Sequence, residues 1–189
     1  LLVVAAVAAF DTSRAAVHQL AETHAWIPQI GASYAVAVDG VGLLLVVLSV
    51  ALVPLVIGAA WREQGTDETD TALREAGEGR LRHYLALVLV LQTFMVLVFS
   101  ARDVFLFYVV FEAMLVPVYF MIGGFGDGAR RRYAAIKFLI FSLAGGLVML
   151  AAVIVLYVQG PGGEQGFLTD NLTGLGLDQT TERLLFLGF

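Results

Sequence analysis

The sequence contains no cysteine. That excludes disulfides, thiolate metal sites and Cys-ligated iron–sulfur clusters within it. It is also poor in charge: Asp, Glu, Lys and Arg make up 14% of residues, against about 25% in average soluble domains. The net charge is −5; the largest group of acids lies in one loop, and such a block is usually solvated. No basic patch with interleaved aromatics is present, so nothing points to nucleic acid. Nucleotide fingerprints, P-loops and nucleophile elbows are missing as well. His18, His24 and His83 lie in connections and share no ligand spacing, so no metal site is expected. The apolar start lacks a basic n-region and is not a signal peptide.

What is there is hydrophobicity, at 59% of 189 residues and a mean hydropathy of +0.86, gathered into long runs. A helix needs about 20 mostly apolar residues to cross a hydrocarbon core about 30 Å thick. Residues Val41–Ala60 carry no charge and end at Trp61 and Arg62, an interfacial anchor. Pro54 is expected to kink that span. Further spans are expected over Tyr84–Ala101, Val104–Gly126 and Tyr133–Val158. Leu1–Phe10 reads as the tail of an earlier helix, reaching as far as Leu20. Glu182–Phe189 reads as the start of a later one. Both ends lie inside apolar runs, so the expected fold is an all-α, polytopic transmembrane bundle. It reads as a single transmembrane domain over 1–189, an internal portion of a longer chain.

The connections also have character. Asp11–Ser33 is polar and carries Trp26 and Pro28, suited to an interface. Residues 62–83 form a hydrophilic loop rich in Asp, Glu and Arg. Arg102 and Asp103 make a turn so tight that its flanking helices must run antiparallel. Residues 127–132 form a short basic loop, and Gln159–Thr181 a Gly-rich one. Asp39 and Asp103 sit at helix starts, where the helix dipole favours an anion. Asn171 heads a weak glycosylation pattern, which is discounted. Lys and Arg sort unevenly between alternate connections. Arg14, Arg102 and Arg183 lie on one side. Arg62, Arg74, Arg80, Arg82, Arg130, Arg131 and Arg132 lie on the other, which should therefore be cytoplasmic.

One residue breaks the apolar pattern. Glu112 lies eight residues past Val104, roughly 12 Å into its helix and near mid-bilayer. An acid there costs about 2.5–3.5 kcal/mol on insertion scales, so it must face protein or water. Burial disfavours its charged form and a cationic neighbour restores it. Such a group can exchange a proton when its partner moves, as a relay requires. The plainer reading is a protonated Glu that hydrogen-bonds two helices together. Pro117 clashes with the carbonyl of Ala113 and leaves it without its helical donor. That frees backbone acceptors beside Glu112, or simply makes a packing kink. Lys137 lies about a turn inside its helix, where it either snorkels to the interface or joins a proton path. Its depth differs from that of Glu112 by roughly 12 Å, so a direct pair is not expected, though water could link them. Ser142, Gly145 and Gly146 form a small-residue face suited to close helix packing.

Four stretches taken together resemble a known family. They are Trp26–Ile27–Pro28, Val38–Asp39–Gly40–Val41–Gly42–Leu43, the run from Phe111 through Glu112 and Pro117 to Phe120, and Tyr133–Ala134–Ala135–Ile136–Lys137–Phe138. They are similar to the antiporter-like membrane subunits (subunit M, or chain 4) of the proton-pumping NADH:quinone oxidoreductase, respiratory complex I. The resemblance runs from about Trp26 to Phe189 and is interrupted by the longer, more acidic 62–82 loop. It implies a bundle of about fourteen helices in two inverted repeats, of which this chain covers the end of the second helix to the start of the seventh. It also implies that Glu112 carries out proton translocation with a lysine beyond Phe189, and that Lys137 occupies a basic position on the sixth helix. No cofactor is implied in this chain: NADH, FMN, iron–sulfur clusters and quinone belong to other subunits. The implied partners are neighbouring antiporter-like subunits and the lipid of the inner (plasma) membrane. The corresponding subunit of a multi-subunit sodium/proton antiporter or of a membrane-bound hydrogenase shares this core. A non-transporting scaffold is the remaining alternative.

Overall fold

A computed structural model describes residues 2–64, 71–126, 128–163 and 165–189. The chain opens with a short helix, α1 (Leu2–Ala9), then a two-stranded hairpin, β1 (Gln19–Ile27) and β2 (Ala32–Val38). Four long helices follow: α2 (Gly40–Gln64), α3 (Thr71–Ser100), α4 (Val104–Phe125) and α5 (Arg131–Gln159). A single turn, α6 (Thr169–Leu172), and α7 (Gln179–Gly188) complete it. Among the described residues, α2 to α5 contain the stretches long and apolar enough to cross a membrane: Gly40–Ala60, Gly79–Ser100, Val104–Phe125 and Arg131–Gln159. The 22 residues of α4 rise about 33 Å, enough for a bilayer core.

The expected spans are therefore present, with three differences around them. First, α1 stops at Ala9 and does not reach Leu20. Asp11 caps a turn of 3-10 helix at Thr12–Arg14, accepting from the Ser13 backbone N–H and hydroxyl. Second, the polar connection Asp11–Ser33 is not irregular, because most of it pairs with β2. Gln19 faces Val38, Thr23 faces Ala35 and Ala25 faces Ser33 in antiparallel register. The all-helical reading thus gains one small sheet. Alternation in β2 buries Ala32, Ser33, Ala35 and Ala37, whereas β1 is exposed along nearly its whole length. Third, the hydrophilic stretch 62–83 is largely helical: α2 runs on to Gln64 and α3 begins at Thr71. Its helix formers Ala, Leu, Glu and Arg carry the helix past the apolar span. The part of that expected loop at 65–70 lies outside the described residues, as does Asp127 of the short basic loop. Pro54 and Pro117 both sit inside continuous helices.

The long helices form successive antiparallel hairpins, each packed on the next. At the end marked by the 101–103 turn, that turn is gripped from two sides. The Arg102 N–H donates to Ala35 of β2 at 2.8 Å, the Val104 N–H to Phe167 at 2.9 Å, and the Thr169 N–H to the Arg102 carbonyl at 2.9 Å. Beneath these bonds lies a small apolar core of Ala32, Val153 and Phe167, packed by Ile27, Val104, Phe105, Tyr108, Met149 and Tyr157. Gly31, at the tip of the hairpin, has φ +74°, and a Cβ there would run into the carbonyl of Gly163. Only glycine meets both demands at little cost, so the tip can rest against the 160s loop.

Candidate functional site

The site forms where α4 meets α5. These helices are joined by a short turn, and residues equally far from it lie side by side. Gly123 approaches Ala135 near the turn, and Phe105 and Tyr108 pack against the cluster that contains Val153 at the far end. Midway, Glu112 lies against Gly146. The carboxyl group occupies the space a Gly146 side chain would fill, so any Cβ there would collide with Oε1. The small-residue face therefore does more than bring backbones close: Gly146, itself buried, is the floor of a niche for the carboxyl group.

Within that niche Glu112 Oε1 is buried and receives no hydrogen bond. Two further residues of α4 bear on it. Tyr108 is one turn before Glu112, and buried Pro117 is just over one turn after it. Lacking an N–H, Pro117 leaves the carbonyl of Ala113 without its helical donor. Two acceptors without intrahelical donors thus sit on neighbouring residues at mid-span. Each unsatisfied group in lipid costs several kcal/mol, so this spot favours a proton, water or a donor side chain.

Lys137 does not enter the niche. It is exposed on α5, and Gly146, which marks the level of Glu112, is nine residues further along that helix, roughly 13 Å. The separation expected from sequence spacing is what the fold produces. Ser142 is half-buried one turn from Gly146.

Asp39 and Asp103 do cap helices. Asp39 accepts from the Gly42 N–H at 2.7 Å. Asp103 accepts from the Leu106 N–H at 2.9 Å and also from the Ser33 N–H of the hairpin at 2.8 Å, with no surface exposed. Burial pushes its carboxyl above the ordinary carboxylate range, against the pull of those N–H donors. Arg102 pairs with Asp170. His24 contacts exposed Glu22 at 2.8 Å. His83 lies inside α3, not in a connection, with its ring Nδ1 2.7 Å from the Gly79 carbonyl.

A second intramembrane polar contact had no place in the sequence reading. Gln92 of α3 donates through Nε2 to Ser49 Oγ of α2 at 3.1 Å, and the Ser49 hydroxyl donates to its own helix at Val46, 3.0 Å away. A lone Gln in an apolar span was the available signal.

The fold thus defines a multi-pass helical membrane segment with a carboxyl group set into a helix–helix seam. Residues 101–181, which hold this seam, match a family described as NADH:quinone oxidoreductase/Mrp antiporter, transmembrane. Subunit M of NADH-quinone oxidoreductase from Mycobacterium tuberculosis (strain ATCC 25618 / H37Rv) is 42% identical over 91% of this chain and 35% of its own length. The Rhodobacter capsulatus subunit M is 36% identical over 90% of this chain and 29% of its own. A chain of respiratory complex I from Thermus thermophilus with bound NADH superposes with a TM-score of 0.70 at 29% identity, over 89% of this chain and 32% of that one. In sequence and fold the chain is thus similar to membrane subunits named subunit M or chain 4. The chain spans about a third of the length of these relatives.

Proposed function

We propose that this chain is part of a proton-translocating membrane subunit of NADH:quinone oxidoreductase, and that Glu112 is the group in it that takes up and releases the proton. The supporting observation is the niche itself. A mid-span acid is costly to insert, yet here it is packed into a seam shaped around it and left with an unmatched acceptor. A structural glutamate acting as glue would donate to or accept from the facing helix. At this position α5 offers Gly146, which has no side chain to bond.

The chemistry proposed is electrostatic. The carboxyl holds a proton while its surroundings are apolar, and gives it up when a cation approaches. One pKa unit corresponds to about 1.4 kcal/mol, so a modest movement of a nearby positive group suffices. On the family resemblance that group is a lysine outside residues 1–189, and quinone reduction elsewhere in the complex drives its movement. Lys137, on the more basic side of the membrane, serves as an entry or exit point on the path, reached through water. That side, with residues 62–83 and 127–132, is assigned to the cytoplasm, and the chain to the inner membrane beside other antiporter-like subunits. The chain itself contributes no redox chemistry in this reading.

Replacing Glu112 by Gln in the assembled complex tests the role. Pumping should be lost while the subunit still assembles; unchanged pumping contradicts the proposal. The family description also covers antiporters, so the parent complex needs its own test. Subunits co-purifying with this one should carry flavin and iron–sulfur centres. Their absence would favour the sodium/proton antiporter branch.

A further inference from the structure

Buried side-chain oxygens or nitrogens without a partner occur at four described residues: Gln92, Arg102, Glu112 and Thr169. Arg102 and Thr169 belong to the joint outside the spans. The two within the membrane are both acceptors, Gln92 Oε1 and Glu112 Oε1. They also share a depth. Gln92 is ten residues before Arg102 and Glu112 ten after it, on the two arms of the α3–α4 hairpin.

That register holds along the hairpin. At its far end Arg80, 22 residues before Arg102, donates to the carbonyl of Gly124, 22 residues after it, at 3.5 Å. Its guanidinium carbon lies 5.6 Å from the centre of the Phe125 ring. On the other side, Gly42 of α2 meets the Phe99 carbonyl. Stepping seven residues inward on both helices reaches Ser49 and Gln92, which are hydrogen-bonded. Ser49, Gln92 and Glu112 therefore share one depth across three helices.

The Ser49 contact also fixes what Gln92 can do. Its amide N–H₂ is committed to Ser49, which turns the carbonyl oxygen away as a free acceptor. In a low-dielectric layer such an oxygen demands a donor, and water is a donor that could serve both unmatched acceptors at this depth. We infer that Gln92, clamped by Ser49, anchors water in the layer of Glu112 and is a positioning residue for proton transfer to that carboxyl from the α2–α3 side. This rests on the proton role of Glu112.

The test compares variants in the assembled complex, measuring protons moved per NADH oxidised. Gln92→Met keeps the shape and removes the acceptor; it should lose part of the pumping that Glu112→Gln abolishes. Gln92→Glu keeps an oxygen at the same reach and should restore most of it, which a mere packing role does not predict. Ser49→Ala frees the amide and should produce a smaller loss in the same direction. This variant decides if Gln92→Met fails to assemble. Full pumping by Gln92→Met, or by Ser49→Ala in that event, overturns the inference when Glu112→Gln has lost pumping. Full pumping by Glu112→Gln as well removes the parent reading instead.

Discussion

Two regions of this molecule handle buried polarity in opposite ways. At the 101–103 turn the buried carboxylate is fully matched, although Arg102 Nε and the Thr169 hydroxyl beside it are not. Asp103 has no exposed surface but accepts from two elements far apart in sequence, at Ser33 and Leu106. Arg102 is tied at its backbone to β2 and to the 160s loop, and at its side chain to Asp170. In the seam between α4 and α5 the acid is packed equally closely, yet its Oε1 has no donor. Bonding from two elements holds the first carboxyl in one position. The second has no donor tying its Oε1 to the fold, which is what the proposed exchange of a proton requires. The first region sets the ends of the helices, and hence the depth at which the second one works.

Substitutions should separate the two. The largest structural effect is expected for Gly146→Leu, because the bulky side chain must displace both Glu112 and the helix behind it. Overpacking typically costs about 1–3 kcal/mol, and the amount of assembled subunit should fall sharply. Gly146→Ala differs, since the clashing group is the mobile end of a side chain. The carboxyl should move aside, so that assembly survives while pumping drops.

Asp103→Ala comes next. It strands the N–H groups of Ser33 and Leu106, at about 1–3 kcal/mol for each buried group left unpaired, and should lower the unfolding temperature in detergent. Asp103→Asn should cost less, because it retains an acceptor oxygen. Burial has raised the carboxyl above its ordinary value, so ionisation opposes folding above that raised value. The opposition fades as pH falls through it, and the joint should tighten on mild acidification. Hydrogen exchange of the Ser33 amide would report either change.

Asp170→Ala should do less, since a pair with one half-exposed partner is typically worth about 0–1 kcal/mol. The smallest effect belongs to Asp178, the exposed cap of α7, which accepts from the Thr180 and Thr181 N–H groups. The Thr181 hydroxyl and N–H hold its carboxyl below the ordinary range. Its contribution is therefore complete above the ordinary value and is lost as pH falls through the lowered one. Amide exchange in the first turn of α7 should quicken over that window.

Much of this was legible in the amino-acid order. Four spans, the tight turn and a mid-membrane Glu112 follow from uncharged runs and one interruption. The offset of Lys137 followed from counting residues. The hairpin did not, because β1 has no apolar alternation to announce it and takes its shape from β2. The helical parts of 62–83 were hidden by their charge, which reads as loop although Ala, Leu, Glu and Arg are good helix formers. Gly146 was legible as a packing residue, but its pairing with Glu112 depends on the register of two helices about a turn. The same holds for Ser49 and Gln92: one serine and one glutamine acquire meaning only once α2 and α3 are set side by side.

The claim that Glu112 is held for exchange, and not for structure, has one direct test. On the proposed role, complex carrying Glu112→Gln, reconstituted into sealed vesicles, should assemble normally but lose the pumping, read as protons moved per NADH oxidised, that the unaltered complex shows. An unchanged proton yield, or a complex that fails to assemble with Gln and recovers only when carboxyl-mediated packing is restored, would contradict it.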